Sequence, residues 1–419
     1  LKVLIINKSA SNGGAAVAAR RLFNALKSNG TDVKMLVEDC SDTAQDIACV
    51  ANNKVKRRAS FKRFVYERLY FLPFERNKSV RFQFSPAVAG LDLSNHPWVQ
   101  EADIIHLHWF NQGFISLKGL DKLFQLNKPI VWTLHDMWSF TGGCHYSGSC
   151  SEYVEHCGHC PFLRYRHNTD LSYTIHQRKK KIWKKAEMHA VTCSKWLGSL
   201  AKESTLLRGK KISAIPNPID SELFKPIDQL ETRKKLGLPL DKKLLLFGAA
   251  NINDPRKGIK YLVHALEILE IKQPELKSKF ELVVFGKSNK AFLKNIPFKI
   301  HEMNFISNNE ELVRLYNAAD AFILPSLQDN LPNTVMESLS CGTPVISFKI
   351  GGVPEMISHR KTGYLADAKN SDHLSKGIYI TLFKSHNEKM QQDAREFVLN
   401  NYSNQIIAEQ YQNVYTSLV

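Results

Sequence analysis

The stretch Ala321 to Glu355, AFILPSLQDNLPNTVMESLSCGTPVISFKIGGVPE, constrains the fold more than any other part of the chain. AFILPS and PVISF are short apolar runs of the kind that form buried parallel strands. Between them lie an acidic loop with Asp329 and Asn330 and a helical segment, TVMESL, that carries Glu337. Gly342 follows that helix, where the chain often needs positive φ. Gly351 and Gly352 follow the second strand and let backbone N–H groups approach an anion at the next helix start. Asp329 and Glu337, eight positions apart, are expected to face one crevice at the strands' carboxyl ends, where open α/β sheets bind ligands.

The same strand–helix alternation runs through the chain. KVLII (2–6), DVKMLV (32–37), DIIHLHW (103–109), PIVWTLHDMW (129–138) and HAVTCS (189–194) read as strands in the first half. KLLLFGAA (243–250) and FELVVFGK (280–287) read as strands in the second. A chain of 419 residues exceeds one ordinary core, so two domains are expected. Pro216 and Pro218 in IPNPID stiffen a hinge. The expectation is an N-terminal domain at 1–215, a C-terminal domain at 216–395, and a final helix at 396–419 returning to the first. The fold class is α/β, with two doubly wound Rossmann-like domains facing a central cleft.

Several segments bear on chemistry. Gly13-Gly14, between a strand and a helix, make either a phosphate-facing site or a tight turn. His108 with Trp109, and His135 with Asp136, end two strands, each in a polar crevice, where a lone His is more often packed and hydrogen-bonded than catalytic. Residues 54–68 hold seven basic residues and one acid, with apolar positions 61, 64, 65 and 69 at helical spacing. That helix suits an anionic membrane face, or packs its stripe on its own domain. RKKKIWKK (178–185) is a second basic run, with a solvated helix face as its plain reading.

Cys144, Cys150, Cys157 and Cys160 fall within seventeen residues in a C-x5-C-x6-C-x2-C spacing, with His145, His156 and His159 interleaved. Close soft ligands favour a structural, closed zinc site. Redox-active or disulfide cysteines, and merely buried ones, are the rival readings.

The string Asp329, seven residues, Glu337, CGTPV and Gly351-Gly352-Val353-Pro354-Glu355 resembles the C-terminal signature of the retaining, GT-B-fold glycosyltransferases of family 4. The family more often has Glu where Asp329 stands. IPNPID resembles the family's domain junction, and Lys257-Gly258 its Lys-Gly. The family's usual Arg before that Lys is replaced by small residues, with Arg256 adjacent instead. The Cys-rich insert after the H-D motif resembles bacterial polysaccharide-biosynthesis members.

The resemblance implies a nucleotide-sugar donor held by Gly13, Gly14, Arg256, Lys257, Asp329, Asn330, Leu331, Glu337 and Glu355. It makes His135, Asp329 and Lys257 the catalytic candidates, and places Asp136 and His108 near the acceptor. The implied reaction is sugar transfer with retention to a hydroxyl of a saccharide or lipid-linked acceptor, with no catalytic metal. A nucleotide-sugar epimerase of the same fold is the alternative.

The net charge of +17 asks for an anionic partner. No nucleic-acid recognition motif is apparent, so phosphorylated substrates and a peripheral contact with an anionic membrane are favoured over nucleic acid. No apolar run reaches the ~20 residues of a spanning helix, and the chain opens on a strand without a leader pattern. A cytoplasmic protein, with or without contact to the inner membrane face, is expected.

Overall fold

The computed structural model describes every residue except 41–43, 288–292, 304, 305, 307 and 386. The chain divides into two compact units, Leu1–Pro218 with Ile407–Val419, and Ile219–Ile406. The division falls at Pro218, in IPNPID, three residues beyond the expected 215. The C-terminal segment grouped with the first unit begins at Ile407, later than the expected 396.

The first unit is built on a parallel sheet of seven described strands. They are β1 (Lys2–Ser9), β2 (Asp32–Asp39), β3 (Ile47–Cys49), β4 (Ile104–Leu107), β5 (Ile130–Leu134), β6 (Met188–Thr192) and β7 (Lys211–Ala214). Their spatial order is β3-β2-β1-β4-β5-β6-β7, so the winding reverses between β1 and β4. The strands β4 and β5 are buried at every residue, and their two polar side chains, His106 and Thr133, bond to each other at 2.8 Å. The helix Asn404–Thr416 buries Ile407, Ala408, Tyr411, Val414 and Tyr415, one stripe at helical spacing. Within the first unit its Gln412 amide donates to the Asn29 carbonyl at 2.9 Å.

The second unit carries six described parallel strands: β8 (Lys243–Asn251), β9 (Phe280–Lys287), β10 (Ile300–Met303), β11 (Ala321–Leu324), β12 (Val345–Phe348) and β13 (Gly363–Ala366). Their order is β10-β9-β8-β11-β12-β13, with the reversal between β8 and β11. Ile323, Val345 and Ile346 are fully buried. At about 1.5–3 kcal/mol per buried aliphatic side chain, this core outweighs the exposed ion pairs, worth about 0–1 kcal/mol each.

The basic helix spans Lys54–Phe71, and its apolar stripe is divided, with Phe64 and Val65 half-buried. Its buried residues are Glu67, Arg68 and Phe71, while Phe61 and Leu69 point outward at 65% and 59% exposure. The cause lies beneath the helix. Arg68 donates to the carbonyl of Arg81 at 2.6 Å, and Phe71 stacks on Phe84 with ring centroids 4.8 Å apart. Among the described residues no helix is long and apolar enough to cross a membrane.

Candidate functional site

In the second unit the winding reversal sets the site. β8 runs into the turn Pro255–Lys257, and β11 into the loop that carries Asp329. The Leu327 N–H donates to the Arg256 carbonyl at 2.7 Å and joins the two loops. Gly258 adopts φ +71°, and a Cβ there would stand 1.9 Å from the Pro325 carbonyl oxygen, so only glycine permits this approach. The Lys257 ammonium consequently donates to the Asp329 carboxylate at 2.8 Å. The shorter Asp side chain therefore reaches the lysine.

Arg256 turns onto Asp254 at 2.6 Å, with its side chain 44% exposed. Asn330 and Leu331 are buried ahead of the helix Asn333–Ser340, whose N-cap position is taken by Pro332, which has no side chain able to cap. Glu337 projects from that helix, buried, and accepts from the Tyr316 hydroxyl at 3.0 Å. Gly351 has φ +52°, and Glu355 lies in the short turn that follows, its carbonyl accepting from the Tyr402 hydroxyl at 3.1 Å. Lys257 and Asp329 thus meet directly, whereas Arg256 is engaged by its own turn.

In the first unit the loops after β1, β4 and β5 lie side by side at the other reversal. Gly13, at φ +97°, caps the helix Gly14–Ser28 with open space where a Cβ would lie. The Trp109 N–H donates to the Asn7 side chain at 3.0 Å, and the Lys8 N–H to the Trp109 carbonyl at 2.7 Å. His108 Nδ1 and His135 Nε2 share a hydrogen bond of 2.9 Å, and the Cys193 thiol lies 3.6 Å from His135 Nδ1. Burial lowers the His135 pKa to about 4, against a smaller opposing effect of Asp136. Burial, then His106 and His135, hold His108 well below its ordinary value. Both imidazoles are therefore neutral near pH 7.

Asp136 accepts from the Trp109 indole at 2.9 Å, from the Trp138 N–H at 2.8 Å, and pairs with His145 Nδ1 at 2.7 Å. Burial pushes its carboxyl up, but His145 and these donors outweigh it, and the net shift is down. His145 Nε2 also meets the Ser85 hydroxyl at 2.9 Å. The Cys-rich insert thus delivers its first histidine onto Asp136.

Cys144, Cys157 and Cys160 are buried, Cys150 is partly so, and none forms a disulfide. Among the described residues no group of three His, Cys, Asp or Glu side chains stands ready to hold a metal ion.

Other residues joined the site without a local signal. Glu38, fully buried at the end of β2, pairs with Lys8 and, at 2.7 Å, with Arg63. His106 bonds to the Tyr415 hydroxyl at 2.7 Å and to Thr133 at 2.8 Å, and Thr133 to the Tyr411 hydroxyl at 2.8 Å. These tyrosines sit far away in sequence; only a helical stripe in the last residues pointed to them.

Residues 12–223 match the family described as Glycosyltransferase Family 4, and residues 228–397 match Glycosyl transferases group 1. The chain belongs to glycosyltransferase family 4. The first match takes in Gly13, His108, His135, Asp136 and the Cys-rich insert of this family 4 chain, and the second Lys257, Asp329, Glu337 and Glu355.

The family 4 chain is 28% identical to an uncharacterized glycosyltransferase of Methanocaldococcus jannaschii over 196 residues, 45% of this chain and 48% of that protein. It spans about half the length, or less, of the curated relatives of this kind. Sucrose-phosphate synthase from Thermosynechococcus elongatus superposes with a TM-score of 0.69 at 18% identity, over 100% of this chain and 99% of that one. Anabaena HepE, solved in complex with UDP-glucose, gives a TM-score of 0.62 at 15% identity over 100% of both chains. The fold is GT-B, α/β in both units.

Proposed function

We propose that this protein transfers a sugar from a nucleotide-sugar donor to a hydroxyl acceptor. The observation that carries the reading is the Lys257–Asp329 pair, at 2.8 Å, at the winding reversal of the second unit. Ligands of open α/β sheets bind at such a reversal. The donor's diphosphate would draw Lys257 from Asp329 and lie at the positive N-terminal end of the helix Asn333–Ser340. A cation and helix dipole aimed at the departing diphosphate stabilise the charge that develops there. Asp329, released from the lysine, is placed to accept from a sugar hydroxyl. Glu337, already oriented by Tyr316, is the ribose-binding candidate.

His135, neutral and steered by His108, is the candidate for contact with the transferred sugar. Asp136 is the acceptor-side carboxylate. Retention of configuration follows the resemblance to retaining family members. The UDP-glucose complex of the HepE neighbour supports a nucleotide-sugar donor.

For the acceptor, a lipid-linked saccharide is favoured by the outer face of the helix Lys54–Phe71. Val55, Phe61, Tyr66 and Leu69 are exposed there beside the exposed Lys54, Lys56, Arg57, Arg58 and Lys62. Apolar side chains set among cations fit an anionic lipid surface. That face also accounts for part of the +17 charge without nucleic acid.

The test follows the donor's anomeric proton by NMR, with UDP-, GDP- and ADP-hexoses in turn. One donor should be consumed, with nucleoside diphosphate released and the first sugar product in the donor's anomeric configuration. An inverted product would refute retention, and interconversion of the sugar nucleotide without diphosphate release would establish the epimerase reading.

A further inference from the structure

We propose that Cys144, Cys150, Cys157 and Cys160 bind one zinc ion as a tetrathiolate, with the buried ammonium of Lys179 as its counter-charge. All four cysteines line one cavity of about 20 Å³. Each of Cys144, Cys157 and Cys160 lies near enough to Cys150 and to one other of the set to feel its charge. The Gly142 N–H donates to the Cys157 sulfur at 3.0 Å, and the backbone of Phe162 bonds to Cys160. Such N–H···S bonds suit thiolates better than thiols.

The loop needs a tie. Between Thr141 and Asp170 the only regular element among the described residues is the turn Glu152–Val154. Structureless connections longer than about 12–15 residues are uncommon, and a structural metal supplies the missing folding energy.

Lys179 supplies an independent observation. Its side chain is 0% exposed, and its ammonium donates to the carbonyls of Trp138 and, at 3.0 Å, Thr141. It lies 3.4 Å from the centre of the Trp138 ring. Among the described residues no carboxylate forms an ion pair with it. A buried cation without an anion in direct contact is costly. Cys157 and Cys144, ahead of the Asp136 carboxylate, lead the groups whose negative charge favours its ammonium against burial. Zinc would displace the four thiol protons to solvent, leaving a doubly negative centre opposite the lysine. As placed, the side chains are not a ready ligand set, so binding requires their rotamers to turn inward.

Because His145 follows Cys144 and bonds to Asp136, the metal would brace the acceptor-side carboxylate from behind.

The experiment measures metal in the full chain, purified under reducing conditions without chelator. About one zinc per chain is expected, replaceable by cobalt with thiolate-to-cobalt charge-transfer bands. The double variant Cys157→Ser/Cys160→Ser should lose the metal. Should that variant fail to fold, Lys179→Met keeps the test open: its zinc affinity against a competing chelator should fall about tenfold or more, as losses of outer-shell partners do. A folded protein without zinc, an intact mass short of the hydrogens lost to disulfides, or full zinc content in the double variant would overturn the site. Unchanged affinity in Lys179→Met would overturn the counter-charge.

Discussion

Replacing Gly258 by alanine tests the geometry of the donor-side turn most sharply. Gly258 sits at φ +71°, where an L side chain costs about 1–2 kcal/mol. Its new Cβ would also lie 1.9 Å from the Pro325 carbonyl oxygen, a backbone atom that cannot swing aside. Relief demands that the 255–257 turn move away from the Asp329 loop, an overpacking cost of about 1–3 kcal/mol. The sum is about 3 kcal/mol. The second unit, 219–406, holds 188 residues (406 − 219 + 1), so its transition should drop by roughly 6–12 °C.

Gly237→Ala is the control. Gly237 has φ +66° but nothing within 4 Å of its Cβ position, so only the backbone cost of about 1–2 kcal/mol remains. Differential scanning calorimetry reads both, and calorimetric titration with the donor reads whether Lys257 has moved. Gly258→Ala should lose affinity by about tenfold or more, equal to about 1.4 kcal/mol, while Gly237→Ala retains it. If the two variants melt alike and bind alike, the close approach to Pro325 does not position Lys257 and the reasoning fails.

Three further outcomes follow from other parts of the molecule. Folding stability should fall between pH 7.5 and 5. Burial lowers His176 to about 4 and His106 to about 3, so the unfolded chain takes up protons below about 6.5 that the folded chain refuses. Each fully neutral histidine contributes up to about 2 kcal/mol to that loss, measurable by urea titration at the two pH values; a flat profile would contradict the assignment. Phe61→Ser/Leu69→Ser should cut sedimentation with phosphatidylglycerol vesicles several-fold without lowering the melting temperature, because both side chains are exposed; equal binding to phosphatidylcholine vesicles would remove the anionic-surface reading. His145→Asn should slow turnover while leaving donor affinity intact, since its partner Asp136 belongs to the first unit and the Lys257–Asp329 pair to the second; a parallel loss of donor affinity would contradict that division.

Much of the fold was readable because buried parallel strands announce themselves as apolar runs. FELVVFGK was read as 280–287, and β9 spans Phe280–Lys287. The edge strands β3 and β10 gave no such sign: IAC is three residues long, and IHEM mixes polar and apolar residues because an edge strand is not covered on all sides. The orientation of the basic helix was not legible either. Its apolar positions marked a stripe, but what fixes its rotation is Arg68 reaching the carbonyl of Arg81 and Phe71 meeting Phe84. Lys179 looked like one charge in a solvated run, whereas Trp183, four residues on, and Lys179 both turn inward. Of the candidate site, Lys257, Asp329, His135 and Asp136 stood out through the resemblance to family 4 motifs that follow strands. The Cys193 contact to His135, the Tyr316 bond to Glu337 and the Glu38 pairs did not, nor did the bond from His145 to Asp136, because long-range hydrogen bonds leave no periodic trace in sequence.

Donor binding is the claim on which the rest depends, and thermal shift of the full chain against UDP, GDP, ADP and their hexose conjugates tests it most directly. A ligand of the native state raises its melting temperature by mass action. One nucleotide series should do so, and the shift should disappear in Lys257→Ala and in Glu337→Ala. Silence toward every nucleotide, with a clear shift from a polyanion, would contradict that claim.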